Sequence, residues 1–240
     1  MKILIFDTET TGLSITRELS YAVLDKWPYI VQFSYLIYDN ETNKVIKIRD
    51  HILKLPHSLK MSEENIKIHK ITNEMSQKKG IDFEKIIEEV IKDFQYVDLI
   101  VAHNLEFDLN LLKVEMMRKI MKSQLLVDSL TVPMKTRSTS KNKKMFDSFL
   151  TLLITNKNYV CTMQESVDLC NIKKTNSMGE YLKFPKLCEL HQTLFQTEAK
   201  NLHNSLNDIL ICFRCFYKLK YGEDIREKNQ KIKKMINLLL

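Results

Sequence analysis

Three short stretches of the chain carry residues able to do chemistry together. Asp7-Thr8-Glu9 places two carboxylates one residue apart, directly after the apolar run Ile3 to Phe6. Alternate side chains of an extended chain project to one side, so both acids can offer oxygen to the same hard cation. A pair of this kind at a strand end is, by itself, often only a solvated turn. Ala102-His103-Asn104-Leu105-Glu106-Phe107-Asp108 follows a second apolar run and delivers another acid at the start of a helix. An acid there also simply favours the helix dipole. In the third stretch, His203-Asn204-Ser205-Leu206-Asn207-Asp208, five steps separate a histidine from an acid. On one unbroken helix that spacing would set them roughly 140° apart round the cylinder. His203 must therefore stand at or just before the helix start, with Asp208 one turn inside.

Taken together and in this order, the three stretches resemble the DEDDh (DnaQ-like) family of 3′-to-5′ exonucleases. Asp7-Thr8-Glu9-Thr10-Thr11-Gly12-Leu13 is almost a full match to its first motif, and His103-Asn104-x-x-Phe107-Asp108 and His203-x4-Asp208 match the later two in type and order. Ile68-His69-Lys70-Ile71-Thr72 is similar to the family's His-Gly-Ile-Thr segment, with Lys70 replacing the glycine. The sister class would carry Tyr at position 204, where this chain has Asn204, so histidine chemistry is favoured.

The resemblance implies an RNase H-like fold and release of nucleoside 5′-monophosphates from nucleic-acid 3′ ends. It implies that Asp7, Glu9, Asp108 and Asp208 hold two divalent cations, and that His203 is the general base, making five catalytic positions. An oxygen-only donor set favours Mg²⁺ or Mn²⁺ over Zn²⁺. An imidazole with an ordinary pKa of about 6.5 suits proton transfer near neutral pH. On the same ground Leu13 would wedge against the terminal base, Phe107 would stack beside it, and Thr8 and His103 would lie near the terminal nucleotide. Leu13 and Phe107 could equally be ordinary packing residues.

The elements that must position these residues are legible in outline. Ile3 to Phe6 and Leu99 to Ala102 read as buried strands ending in chemistry, and Ile30 to Tyr38 and Lys44 to Ile52 as a hairpin turning at Asp39-Asn40. Apolar residues from Phe83 to Phe94 fall at helical spacing, with Asp82 available as N-cap. Leu109 to Met121 resumes that period, and Leu125 to Val127 reads as a further strand ending at Asp128. Lys186 to Phe195, His203 to Leu219 and Ile225 to Leu239 suit helices. The expected class is α/β: a mixed five-stranded sheet flanked by helices, with an insertion between the last strand and the C-terminal helices. The exonuclease domain would span 1–221, with the insertion at about 133–185, and 222–240 would form a helical extension packed on the core.

Composition bounds the rest. The 240 residues are 44% hydrophobic, enough for one sizeable core, and the net charge of +7 favours encounter with a polyanion. Within the expected insertion, Lys135, Arg137, Lys141, Lys143 and Lys144 crowd Met134 to Asp147, a stretch without apolar periodicity, expected to be a solvated loop tracking the substrate backbone. The five cysteines lack the spacing of a secreted disulfide scaffold. Cys212 and Cys215 read as core, and Cys161, Cys170, Cys188 and His191 could form a Cys₃His zinc site only with irregular spacing. With no signal peptide or membrane-length apolar run, the expected setting is intracellular, cytoplasmic or nuclear. The expected partner is a nucleic-acid 3′ end. No polymerase domain is encoded, so proofreading would need a partner chain. The same motifs leave open DNA or RNA as substrate, with single-stranded or frayed DNA ends favoured, and a silent binding module as the remaining alternative.

Overall fold

The computed structural model describes residues 1–129 and 158–240. Its centre is a five-stranded sheet in the order β3-β2-β1-β4-β5, formed by β1 (Lys2–Thr10), β2 (Ile30–Asp39), β3 (Lys44–Ile52), β4 (Leu99–Ala102) and β5 (Asn158–Cys161). The first three strands pair antiparallel, while β4 runs parallel to β1, and β5 to β4. This is the mixed α/β sheet expected from the sequence.

The central strand is apolar on both faces because helices cover both. Leu4 and Phe6 join one core with α3 (Ile87–Tyr96) and α4 (Leu105–Ser129). Ile3 and Ile5 join the other, built on α8 (Ser205–Tyr221). The pleat thus assigns odd positions of β1 to the α8 face and even positions to the α4 face. That parity later sorts the acids.

Two expectations are corrected. Leu125 to Val127 is not a strand but the last part of α4, and the fifth strand is Asn158–Cys161. No Gly or Pro interrupts 105–129, so a helix begun at Leu105 propagates through the short apolar run, which periodicity alone cannot assign. The span 133–185 therefore contains the fifth strand. After β5 come two short helices, α5 (Thr162–Glu165) and α6 (Val167–Cys170), and a hairpin of β6 (Lys173–Asn176) and β7 (Gly179–Leu182). Second, Asp82 precedes only a 3-10 turn, Phe83–Lys85, and makes no side-chain cap bond, so α3 starts later than the apolar spacing suggests. The basic stretch Met134 to Asp147 lies outside the described residues.

Beyond α7 (Leu187–Phe195) and α8, the chain ends in α9 (Ile225–Lys228) and α10 (Gln230–Asn237). Asn229 divides them: its extended backbone breaks the helix and its side chain accepts from the Ile232 N–H at 3.0 Å, capping the next one. Ile225, Ile232, Ile236 and Leu239 are buried in the α8 core, so this extension packs on the domain. Among the described residues, no helix is long and apolar enough to cross a membrane.

Candidate active site

Asp7 and Glu9 occupy odd positions at the C-terminal end of β1, so they project toward α8, and Asp208 in the first turn of α8 meets them. Ligand oxygens of Asp7, Glu9 and Asp208 all lie within 4.8 Å of one another. Asp108, in the first turn of α4, is held on the other side of the strand end. Thr8, at an even position, donates to Asp108 Oδ1 from its backbone N–H at 3.1 Å and from its hydroxyl at 2.5 Å. Asp108 is not among the three acids whose oxygens converge, yet its charge raises the proton affinity of both Asp7 and Glu9.

The electrostatics fit a cation site. Burial, followed by the charges of Asp108, Asp208 and Glu9, lifts the Asp7 carboxyl well above the usual range. Burial and the neighbouring Asp208 and Asp108 push Glu9 up to about 8. Burial pushes Asp108 up to about 7 against the opposing Thr8 hydrogen bonds, and Asp208 up to about 7 against the bond from the His203 backbone. Among the described residues, Asp208 Oδ1 is buried without a hydrogen-bond partner. An unpaired buried carboxylate oxygen is costly unless protonated or matched by a cation. The residues present therefore fit divalent metal held by oxygen.

His203 stands just outside the helix, as its spacing required. It has φ +66°, is exposed, and donates its backbone N–H to Asp208 Oδ2 at 3.1 Å. Asn204, at the position where the sister class carries Tyr, is the N-cap of α8 and accepts from the Asn207 N–H at 3.4 Å. The substrate-side expectations separate. Leu13 is 86% exposed beside the strand end, which excludes a core role. Phe107 is partly buried and packs against the α4-side core, and Thr8 is the clamp on Asp108. His103 has both ring nitrogens engaged: Nε2 donates to the Pro185 carbonyl at 3.0 Å, leaving Nδ1 to accept from the Thr162 hydroxyl at 2.9 Å. Burial holds its pKa down at about 4, so the ring is neutral. No ring nitrogen remains for a nucleotide while those bonds stand.

A set of polar residues that the motifs did not reveal buttresses the α8 side. Ser34 pairs with Asp7 across the sheet, and Gln32 with Glu9, so all four face α8. Gln32 Oε1 accepts the Ser205 backbone N–H at 3.2 Å, one of the N-terminal donors that a helix cannot satisfy itself. Ser34 Oγ lies 2.5 Å from Ser205 Oγ. Asp50 on β3 accepts from Gln32 Nε2 at 2.7 Å and from Ser34 Oγ at 2.8 Å, fixing their orientation. The signal was present: Gln32 and Ser34 are polar residues two apart in an otherwise apolar strand, on the parity of the acids.

Lys70 explains its own departure from the glycine of the resembling segment. It is the C-cap of α1 (Glu63–His69) with φ +63° and ψ +7°, the left-handed position at which glycine is strain-free. The zinc alternative falls away. Arg214 donates to His191 Nε2 at 2.7 Å and His191 Nδ1 donates to the Thr197 carbonyl at 2.9 Å, so neither nitrogen can ligate. Cys212 and Cys215 are buried, as core residues.

With this geometry in place, comparison with known proteins is decisive at the level of family. The RNase T model, described as an exonuclease, matches residues 4–216. The chain belongs to the RNase T exonuclease family. The acid cluster is compatible with metal binding, and the mixed sheet is the RNase H-like fold. No curated protein sequence matches the chain. Among solved structures, apo Exonuclease I aligns with TM-score 0.61 at 14% identity, over 97% of this chain and 44% of that one. Escherichia coli Exonuclease I in complex with a dT13 oligonucleotide aligns with TM-score 0.59 at 15% identity, over 90% and 41%. A product-bound Exonuclease I aligns with TM-score 0.59 at 13% identity, over 99% and 45%. The chain thus spans less than half the length of the Exonuclease I chains it matches, and at these identities the likeness concerns the fold.

Proposed function

We propose that the chain is a DEDDh-type 3′-to-5′ exonuclease that removes nucleoside 5′-monophosphates one at a time from a nucleic-acid 3′ end. The observation that carries this reading is the convergence of Asp7, Glu9 and Asp208 on one small volume, with the buried Asp208 oxygen unpaired and Asp108 beside them. Divalent cations bound there would neutralise charge on the attacking and departing oxygens of an in-line displacement. Mg²⁺ is the expected ion, with Mn²⁺ as substitute, because every donor is a carboxylate. Asp7, Glu9 and Asp208 would hold the ions, and Asp108 would complete the set from the α4 side. His203, tethered to Asp208 through its backbone, would take the proton of the attacking water. The water oxygen bonds to the terminal phosphorus, the bond to the penultimate 3′ oxygen breaks, and that oxygen takes a proton from solvent, leaving a strand one nucleotide shorter with a 3′-hydroxyl.

Leu13, exposed four residues after Glu9, would meet the terminal base, with Phe107 nearby; Thr8 contributes through Asp108. Single-stranded or frayed DNA is the favoured substrate, since the matched fold includes Exonuclease I bound to dT13. An RNA-trimming activity of the same site is the second reading. Digestion of single strands labelled at the 5′ or the 3′ end, as DNA and as RNA, tests polarity and substrate together. The reading requires immediate release of a 3′ label as mononucleotide and a ladder of shortening products from a 5′ label. Release of a 5′ label as mononucleotide before the strand shortens from its 3′ end would reject it.

A further inference from the structure

The hairpin β6–β7 has no core beneath it. All eight of its strand residues are exposed, and Met178 at the turn is 92% exposed. Two four-residue strands are marginal on their own in water. Yet this one is fastened at its base: the Lys183 N–H donates to the Ile172 carbonyl at 2.9 Å, and Lys183 Nζ pairs with Glu189 on α7. The Pro185 carbonyl accepts from His103. His103 directly follows β4, and the parallel register of β1 with β4, Ile5 opposite Val101, puts His103 level with Asp7. The hairpin is therefore rooted on the edge of the sheet from which the acids project.

Its surface alternates cations with apolar and aromatic groups. Between Lys173 and Lys186 there are four lysines and one acid, Glu180. Glu180 pairs with Lys173 at 2.9 Å, and among the described residues Lys174 has no acidic partner. Lys174 stands directly opposite Tyr181 in the antiparallel pair, so its ammonium and that ring share one face. Tyr181 and Phe184 remain substantially exposed, although rings of that size are usually covered. A positive charge beside an open ring is the pairing that grips a single strand, the charge on phosphate and the ring on a base, whatever the sequence.

We propose that the β6–β7 hairpin is a binding arm for the single-stranded part of the substrate upstream of the cleaved end, with Lys174 on a phosphate and Tyr181 stacked on a base. The proposal rests on the exonuclease reading above. It makes affinity depend on strand length, because a strand too short to reach from the acids to the hairpin gains nothing from the arm.

The test uses the full chain with Mg²⁺ and single-stranded DNA oligonucleotides of four and sixteen nucleotides. Lys174→Ala/Tyr181→Ala should raise KM for the longer strand by about tenfold, at the low end of what loss of one stacked base and one phosphate contact costs. The value of kcat should stay within about twofold, and the four-nucleotide substrate should be unaffected. Tyr181→Phe should behave as wild type, since stacking needs the ring and not the hydroxyl. Both changed residues are exposed, so the melting temperature should not move. An unchanged KM on the long strand would overturn the proposal and leave the hairpin to a protein partner, and equal losses on both strands would also overturn it. If the wild type digests neither DNA nor RNA, the exonuclease reading itself fails. A wild type that digests while the variant matches it condemns only the arm.

Discussion

The two halves of the acid site are held in place by different means. Asp7 and Glu9 leave a central strand paired on both sides and packed on both faces, so their positions are set by many redundant contacts. His203 and Asp208 arrive instead from the connection before α8, where Gln196, Asn201 and His203 all have positive φ, a conformation that non-glycine residues adopt only when something holds them. A short series of polar bonds does the holding. His191 grips the Thr197 carbonyl, the Leu239 carbonyl accepts from the Lys200 N–H at 2.6 Å, Asn207 donates to the Asn201 carbonyl at 2.8 Å, and Gln32 receives the Ser205 N–H. The sheet-borne half should therefore tolerate loss of any single neighbour, whereas the α8 half should lose geometry with one bond.

The largest effect should come from the acids themselves. Asp7→Ala or Asp208→Ala should reduce nucleotide release to background while the fold persists, because each removes a proposed cation ligand and relieves like-charge repulsion. Steady-state digestion with circular dichroism on the same samples checks both parts. His203→Ala should cost about 10²–10⁴-fold in kcat, the range for a general base, with Mg²⁺ binding retained. Calorimetric loss of Mg²⁺ affinity in that variant would make His203 a ligand instead.

Gln32→Leu addresses the comparison itself. It removes the acceptor for a buried helix-terminal N–H and the donor to Asp50 while leaving Asp7, Glu9, Asp108 and Asp208 in place, which should cost about 1–3 kcal/mol of stability. Activity should fall about tenfold in kcat with KM unchanged, if misplacement of the α8 half is what matters. Phe33→Leu, an equally buried change on the opposite face of the same strand, should lower stability with little change in kcat. Equal kcat losses in the two variants would erase the distinction between the halves.

Charge repulsion in the cluster gives a pH signature. Glu9 is pushed up to about 8 and Asp108 and Asp208 to about 7, with Asp7 raised as well. Between their unfolded values of about 4 and these folded values, the native state binds more protons than the unfolded state. Unfolding free energy is then greatest near pH 4 as far as these groups are concerned, and falls as pH rises towards 8. Thermal melts in chelator from pH 5 to 8 should show that decline, and Mg²⁺ should reverse it most strongly at pH 8. A melting temperature that rises steadily across this range would contradict the assigned burial of the acids.

Much of the site is legible in the sequence, and the parts that are not have physical reasons. The five-residue step from His203 to Asp208 cannot be satisfied on one helical face, so the histidine's place outside α8 follows from geometry. The acids after Phe6 are marked by a buried strand ending in charge. The fifth strand escapes a reading by pattern because Leu125 to Val127 is more apolar than Asn158–Cys161, and a three-residue run carries no usable period. Gln32 and Ser34 are inconspicuous because their role depends on pairing with β1 and on Ser205, 173 and 171 residues away along the chain. His103 matches a motif by type, but the Pro185 carbonyl that occupies its ring comes from a segment with no motif of its own.

The smallest expected effect is at the end of α1. Lys70→Gly relieves a left-handed C-cap and should raise stability by about 0.5–1 kcal/mol, read as a shift of the denaturation midpoint with activity unchanged.

The central claim, that Asp7, Glu9 and Asp208 with Asp108 form one cation-dependent hydrolytic site, is tested most directly by chelation and restoration. Purified protein stripped with EDTA should release no mononucleotide from a single-stranded oligonucleotide, and addition of Mg²⁺ should restore release. Asp208→Asn, which keeps the shape of the side chain but not its charge, should stay inactive in both conditions. Full activity of the stripped protein, or restoration of Asp208→Asn to the wild-type rate by Mg²⁺, would contradict the account.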